Sequence, residues 1–138
     1  SLIAKKIIII GGGPSGLMAA EILSGKGHNV TIYERKPTFA RKFLMAGRGG
    51  LNITHSEDIE SFIQKYGSQA DTLQHAINSF TPQNMRDWCA NLGEETYIGS
   101  SGRVFPKSFK ASPLLRSWLK RLEDQGVKLM LNQDWQGW

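Results

Sequence analysis

A single cysteine among 138 residues excludes an internal disulfide, so the fold must rest on its apolar core. No apolar run approaches the roughly 20 residues of a membrane span. The first apolar stretch is too short for a signal peptide and is soon broken by Gly13-Pro14. These absences point to a cytoplasmic chain with no membrane partner, in which the N-x-T sequons at Asn29 and Asn52 have no role. The three histidines, His28, His55 and His75, share no metal-ligand spacing, so no metal site is expected. Internal repeats and low-complexity linkers are also missing. What is present, 40% hydrophobic and 21% charged residues, describes one globular domain or part of a larger one.

The net charge of +5 is patterned along the chain. Residues 26–50 carry +5 and residues 51–102 carry −5, between a first segment of +1 and a last of +4. A basic block of this kind serves either nucleic acid or a small polyanion. The acidic middle, and the lack of aromatics interleaved with a nucleic-acid motif, argue against the first.

Local patterns give an α/β order. Lys5 to Ile10 is continuous, apolar and β-branched, as expected of a central parallel strand buried on both faces. Leu17 to Leu23 reads as a short helix ended by Gly25 and Gly27, and Asn29 to Glu34 as a second strand, completing a βαβ unit over residues 1–36. Residues 37–112 read as a loop, a helical insertion and a hairpin. The loop, basic and glycine-containing, runs from Arg35 to Thr54. Helical spacing follows in Ile59, Phe62, Ile63 and Tyr66, with Thr54 and Glu57 as a capping box, and again in Leu73, Ala76, Ile77 and Phe80. Thr81-Pro82 opens a helix with Met85, Trp88, Cys89 and Leu92 inward and Gly93 as its stop. Thr96 to Ile98 and Arg103 to Phe105 form a hairpin. Residues 113–131 supply a last helix, with Leu114, Leu115, Trp118, Leu119 and Leu122 inward, and a third parallel strand at Val127 to Leu131. The expected strand order is 3-2-1.

Chemistry concentrates at Gly11-x-Gly13-x-x-Gly16, between the first strand and its helix, with Glu34 at the end of the second strand. Gly11 permits a tight turn, Gly13 lets backbone approach a pyrophosphate, and Gly16 lets helix and strand pack closely. The helix N-terminus turns its N–H groups and positive dipole end toward the phosphates. Glu34 would accept hydrogen bonds from ribose hydroxyls and repel a 2′-phosphate. This fingerprint serves FAD and NAD alike. Further on, Gly47, Gly49 and Gly50 around Arg48 can wrap backbone N–H groups and charge around phosphate or a flavin edge. Of the histidines, His28 reads as a solvated turn residue, His75 as exposed, and His55 as the one beside this loop. Cys89 reads as a buried, inert thiol.

Three blocks carry a resemblance: Gly11 to Gly16 with Glu34, Arg41 to Thr54, and Ser101 to Lys107 through Lys110-Ala111-Ser112. Together they resemble the HI0933-like family of FAD-dependent flavoproteins, described as NAD(FAD)-utilizing dehydrogenases. In the commonest form of that family the middle block reads S-G-G-G-R-C-N-x-T-N after a Gly and an Arg-Lys pair. Here Ala40, Ala46, Arg48, Gly50, Leu51 and His55 replace family residues, and the loop cysteine is lost.

The resemblance implies a Rossmann-like parallel sheet of the two-dinucleotide-binding-domain type holding extended FAD. Gly11, Gly13, Pro14, Ser15 and Gly16 would hold the pyrophosphate, and Glu34 and Arg35 the adenosine ribose, with Arg41 and Lys42 on the same half. Gly47, Gly49, Asn52 and Thr54 would lie toward the flavin. The implied chemistry is hydride transfer through FAD with NAD(P)H as donor, on a small-molecule substrate and with catalytic residues that the motifs leave undefined. The alternatives are an NAD-binding module of a non-flavin dehydrogenase and a basic nucleic-acid-binding domain. Family members are longer and close the site with a later Gly-Asp segment. On that ground the chain is expected to be an N-terminal fragment, inactive alone, with Trp135 and Trp138 on a self-associating edge.

Overall fold

The computed structural model describes residues 4–39, 51, 73, 75, 77, 79–100, 102–108, 110 and 112–133. Its elements are β1 (Lys6–Ile10), α1 (Pro14–Gly25), β2 (Asn29–Tyr33), α2 (Pro82–Asn91), β3 (Thr96–Ile98), β4 (Val104–Pro106), α3 (Ser112–Asp124) and β5 (Lys128–Met130). β1, β2 and β5 form a parallel sheet in the order β1-β2-β5, as expected for strands joined by helical crossovers. Its register sets Lys6 beside Asn29, Ile10 beside Tyr33, and Tyr33 beside Met130.

Ile7, Ile8 and Ile9 of β1 and Val30 and Ile32 of β2 are buried, which is why β1 reads as a continuous run without alternation. Helix α1 begins three residues earlier than its apolar stretch, at Pro14. Proline loses nothing there, because the N–H it lacks would have had no helical partner. From Pro14 to Ala20 every residue of α1 is buried, since the helix is enclosed between the sheet and the later helices. Its alanines allow that close enclosure.

Helix α2 carries the expected cap. The Thr81 hydroxyl accepts the Asn84 N–H at 3.0 Å, and the Asn84 side chain accepts the Thr81 N–H at 2.9 Å. Met85, Trp88 and Cys89 point inward. Helix α3 buries Leu114, Leu115, Trp118 and Leu122. Trp88 and Trp118 meet edge to face with ring centroids 4.6 Å apart, an arrangement that ties α2 to α3. The hairpin β3-β4 is antiparallel, with Tyr97 stacked on Phe105, and its second strand starts one residue later than expected. The helical patterns at Ile59 to Tyr66 and the cap at Thr54 lie outside the described residues, whereas Leu73 and Ile77 are helical and buried. No helix among the described residues is long and apolar enough to cross a membrane.

One carboxylate joins the nucleotide unit to the insertion. Glu21 of α1 accepts the Trp88 indole N–H at 3.1 Å and lies 3.7 Å from Arg121 of α3. Burial pushes its carboxyl above the ordinary value, and Arg121 and the indole N–H pull it back only in part. An acid with a raised folded pKa stabilises most fully below its unfolded value of about 4.5, and that contribution is lost as pH rises through the folded value. Glu21→Gln keeps an acceptor for Trp88 and removes the titration. In urea unfolding, wild type should therefore lose stability relative to Glu21→Gln between pH 4.5 and pH 7, whereas parallel pH profiles would contradict a burial-dominated carboxyl.

Candidate functional site

The glycine turn closes over the carboxyl end of β1. Gly11 has φ +100°, a conformation that side chains rarely adopt, and its N–H donates to the Tyr33 carbonyl at 2.9 Å. The chain therefore leaves β1 while still bonded to the end of β2. Gly13 is the N-cap of α1, and its carbonyl accepts the Leu17 N–H at 2.9 Å as the first helical bond. A Cβ on Gly16 would lie 2.5 Å from the Gly11 carbonyl oxygen and 3.4 Å from Ile9 Cγ2. Close helix-strand packing, the role expected of Gly16, is thus what the backbone requires.

The two helix starts differ in a way that matters chemically. Helix α2 is capped by its own side chains. Helix α1 has no side-chain cap and no acid in its first turn. Its positive dipole end therefore faces the glycine turn without a capping side chain or a first-turn acid of its own.

Glu34 stands where the fingerprint puts it and does more than was expected. Its carboxylate accepts the Gly12 N–H at 2.9 Å and the Lys36 N–H at 3.1 Å, so it fixes the turn as well as presenting an acid beside it. The backbone after β2 is braced from the other side, because Glu34 N–H donates to the Met130 carbonyl at 2.8 Å and Gln133 N–H to the Glu34 carbonyl at 3.0 Å. Phe39, buried at the end of this stretch, packs so tightly on Gly12 that a Cβ there would overlap its ring. Phe39 sits in an aperiodic segment, where spacing assigns it to no buried face. The one signal was an isolated aromatic after Pro37-Thr38.

The structure brings together Gly11, Gly13, Pro14, Ser15, Gly16 and Glu34 at one end of β1 and β2. Arg35 follows as an exposed cation. Arg41, Lys42, Gly47, Gly49, Asn52, Thr54 and His55 lie outside the described residues, as do Trp135 and Trp138. His28 departs from expectation: it is 5% exposed, and its Nδ1 accepts the Lys5 N–H at 3.1 Å. The return of the chain into β2 sets the ring against the start of β1, where the Lys5 amide needs an acceptor. Cys89 is buried as expected. Desolvation, with Glu94 nearby, pushes its thiol up to about 12, which keeps it a thiol rather than a nucleophilic thiolate. Among the described residues, no three His, Cys, Asp or Glu side chains converge as metal ligands would.

A parallel β1-α1-β2 unit, a glycine turn at its carboxyl end and an acid closing β2 define a Rossmann-type domain with the dinucleotide fingerprint. The chain belongs to the HI0933-like family: residues 5–138 match the HI0933-like protein Rossmann domain. It is 32% identical over 92 residues to the L-amino acid oxidase Cdc18 of Crotalus durissus cumanensis, covering 61% of this chain and 17% of that protein. It is 30% identical over 84 residues to the thiamine thiazole synthase of Methanococcus vannielii, covering 61% and 32%. It is 42% identical over 45 residues to the multifunctional alkene reductase/demethylase OYE of Caballeronia cordobensis, covering 33% and 7%. The crystal structure of THI4 from Thermovibrio ammonificans shares the fold, with a TM-score of 0.54 at 18% identity over 93% of this chain and 38% of that one. The chain thus spans well under half the length of these relatives.

Proposed function

We propose that the chain is the FAD-binding portion of a flavin-dependent oxidoreductase, with NAD(P)H as the electron donor. The observation that carries this reading is the Glu34 carboxylate held 2.9 Å from the Gly12 amide, beside the uncapped start of α1. That juxtaposition offers a hydrogen-bond acceptor for a ribose and a positive backbone end for a pyrophosphate within one turn of chain. The residues fit the group: the turn keeps its tight backbone only because Gly12 and Gly16 lack Cβ atoms, and a carboxylate suits unphosphorylated ribose hydroxyls. Gly11, Gly13, Pro14, Ser15 and Gly16 would hold the pyrophosphate, and Glu34 with Arg35 the adenosine end. Arg41 and Lys42 would add charge on the same side, and Gly47, Gly49, Asn52 and Thr54 would face the flavin.

FAD is favoured over NAD by membership of the HI0933-like family, and a redox role is supported by relatives named as an oxidase and a reductase. Bound FAD supplies hydride acceptance and return through its isoalloxazine, while the protein binds and orients it. Thermal unfolding with FAD, NAD⁺ and single-stranded RNA separates the three readings. FAD at about 100 times its dissociation constant adds about 2.7 kcal/mol, which raises the midpoint by on the order of 10 °C for a chain of this size. NAD⁺ and RNA should leave it unchanged. A shift with NAD⁺ and none with FAD would favour the non-flavin dehydrogenase.

A further inference from the structure

The dinucleotide fingerprint asks for glycine at Gly11, Gly13 and Gly16 and leaves the residue between the first two open, yet Gly12 is a glycine as well. Its own backbone does not require this. Gly11 has a positive φ and Gly12 does not, so the Gly12 conformation is open to residues with side chains. The requirement comes from Phe39, far along the chain. A Cβ on Gly12 would overlap Phe39 Cδ1, lie 2.9 Å from Phe39 Cε1 and stand 3.3 Å from Glu34 Cβ. Phe39 is 4% exposed, although Arg35, Lys36, Pro37 and Thr38 before it are all exposed. One buried aromatic thus pins an exposed stretch against the glycine turn.

We infer that Phe39 is a positioning residue for nucleotide binding: its ring, fitted to the missing side chain of Gly12, holds the Glu34 carboxylate in place before a ligand arrives. This rests on the reading of the glycine turn and Glu34 as the adenosine-diphosphate end of a cofactor site. Phe39 acts there through Gly12 and Glu34. The Gly12 N–H that Glu34 Oε1 accepts at 2.9 Å belongs to a buried residue, and the ring against Gly12 helps to keep water from it. A hydrogen bond sheltered in this way is stronger than one open to water. Glu34 Oε2 accepts the Lys36 N–H at 3.1 Å, and the Lys36 carbonyl accepts the Asn132 N–H at 3.2 Å, which ties the stretch between Glu34 and Phe39 to the end of β5. Held at both oxygens, the carboxylate is oriented, and each oxygen keeps a further lone pair for a ribose hydroxyl. Fixing it in advance lowers the ordering cost that binding otherwise carries. A smaller side chain at position 39 lets water reach the Gly12 N–H and releases the exposed stretch from its anchor.

A size-swap cycle tests the pair, with the chain titrated with FAD and, separately, with ADP, the moiety that FAD and NAD share. Phe39→Val lacks both ring carbons that face Gly12, so Gly12→Ala has room beside it. Each single variant should bind both ligands about tenfold more weakly than wild type, the scale of one hydrogen bond, whereas the double variant should recover to within about threefold. Without ligand, the Gly12 amide of Phe39→Val should exchange with solvent about tenfold faster, while the Gly11 amide, bonded to the Tyr33 carbonyl, keeps its wild-type rate. Urea unfolding of each variant gives the folded fraction to which affinities refer. Phe39→Leu, which removes only the outer ring carbons, carries the same readouts if Phe39→Val does not fold, with an expected loss of about threefold. Wild-type affinity in folded Phe39→Val or Phe39→Leu would make Phe39 a packing residue alone and overturn the positioning role. A double variant that binds no better than Gly12→Ala overturns it as well. A wild-type chain that binds ADP and not FAD overturns the flavin reading, and the ADP titrations then decide on Phe39. Binding of neither ligand overturns both.

Discussion

Gly16→Ala is expected to abolish cofactor binding and to lower stability by about 2 kcal/mol or more, the scale of overpacking against atoms that cannot withdraw. The new Cβ would sit 2.5 Å from the Gly11 carbonyl oxygen, a main-chain atom at a position whose φ of +100° leaves it no easy alternative. Relief requires α1 to move away from β1, which separates the helix start from the glycine turn. Gly25→Ala is the matched control. Its Cβ would meet nothing within 4 Å, and in the last turn of α1 it should stabilise the chain by about 0.5–1 kcal/mol through reduced unfolded-state freedom. Urea unfolding of both variants checks the pair. If Gly16→Ala were as stable as wild type and still bound FAD, close packing at the fingerprint would not be the reason for its third glycine.

Replacing Glu34 should separate two duties that one side chain combines. Glu34→Ala leaves the buried Gly12 N–H without its acceptor and removes the acid offered to the ribose. Stability should fall by about 1–3 kcal/mol, the usual cost of orphaning a buried donor, and FAD affinity by at least tenfold. Glu34→Gln retains an oxygen for Gly12 and should recover most of the stability. It should also weaken discrimination against adenosine 2′-phosphates, because the repelling charge is gone. Competition of ADP and of its 2′-phosphorylated counterpart for the site reads this directly. Unchanged discrimination in Glu34→Gln would mean that charge at this position does not select the nucleotide.

The nucleotide unit was legible in the sequence because its signals are local and agree. Ile7 to Ile10 is apolar without alternation, Gly13-Pro14 starts a helix, and Glu34 ends the next strand. Thr81-Pro82 and Gly93 bounded α2 for the same reason, each being set by backbone chemistry within a few residues. What escaped depends on contacts across the chain. His28 becomes buried only because β1 and β2 are neighbours and Lys5 needs an acceptor. Phe39 becomes part of the turn only by folding back over Gly12. Glu21 reads as one more helical charge, and its burial under Trp88 arises from a residue 67 positions away. The concavity lined by Leu51, Phe80, Met85 and Val104 is less visible still, since its lining comes from three separate stretches that only the fold brings together.

The central claim is that β1, α1 and β2 hold FAD through the glycine turn and Glu34. Titrating FAD with the purified chain while following flavin fluorescence tests this most directly, with Gly16→Ala run alongside. The account predicts a saturating change at one FAD per chain that Gly16→Ala lacks. Flavin fluorescence that stays unchanged with the wild-type chain, or that changes identically with Gly16→Ala, would contradict it.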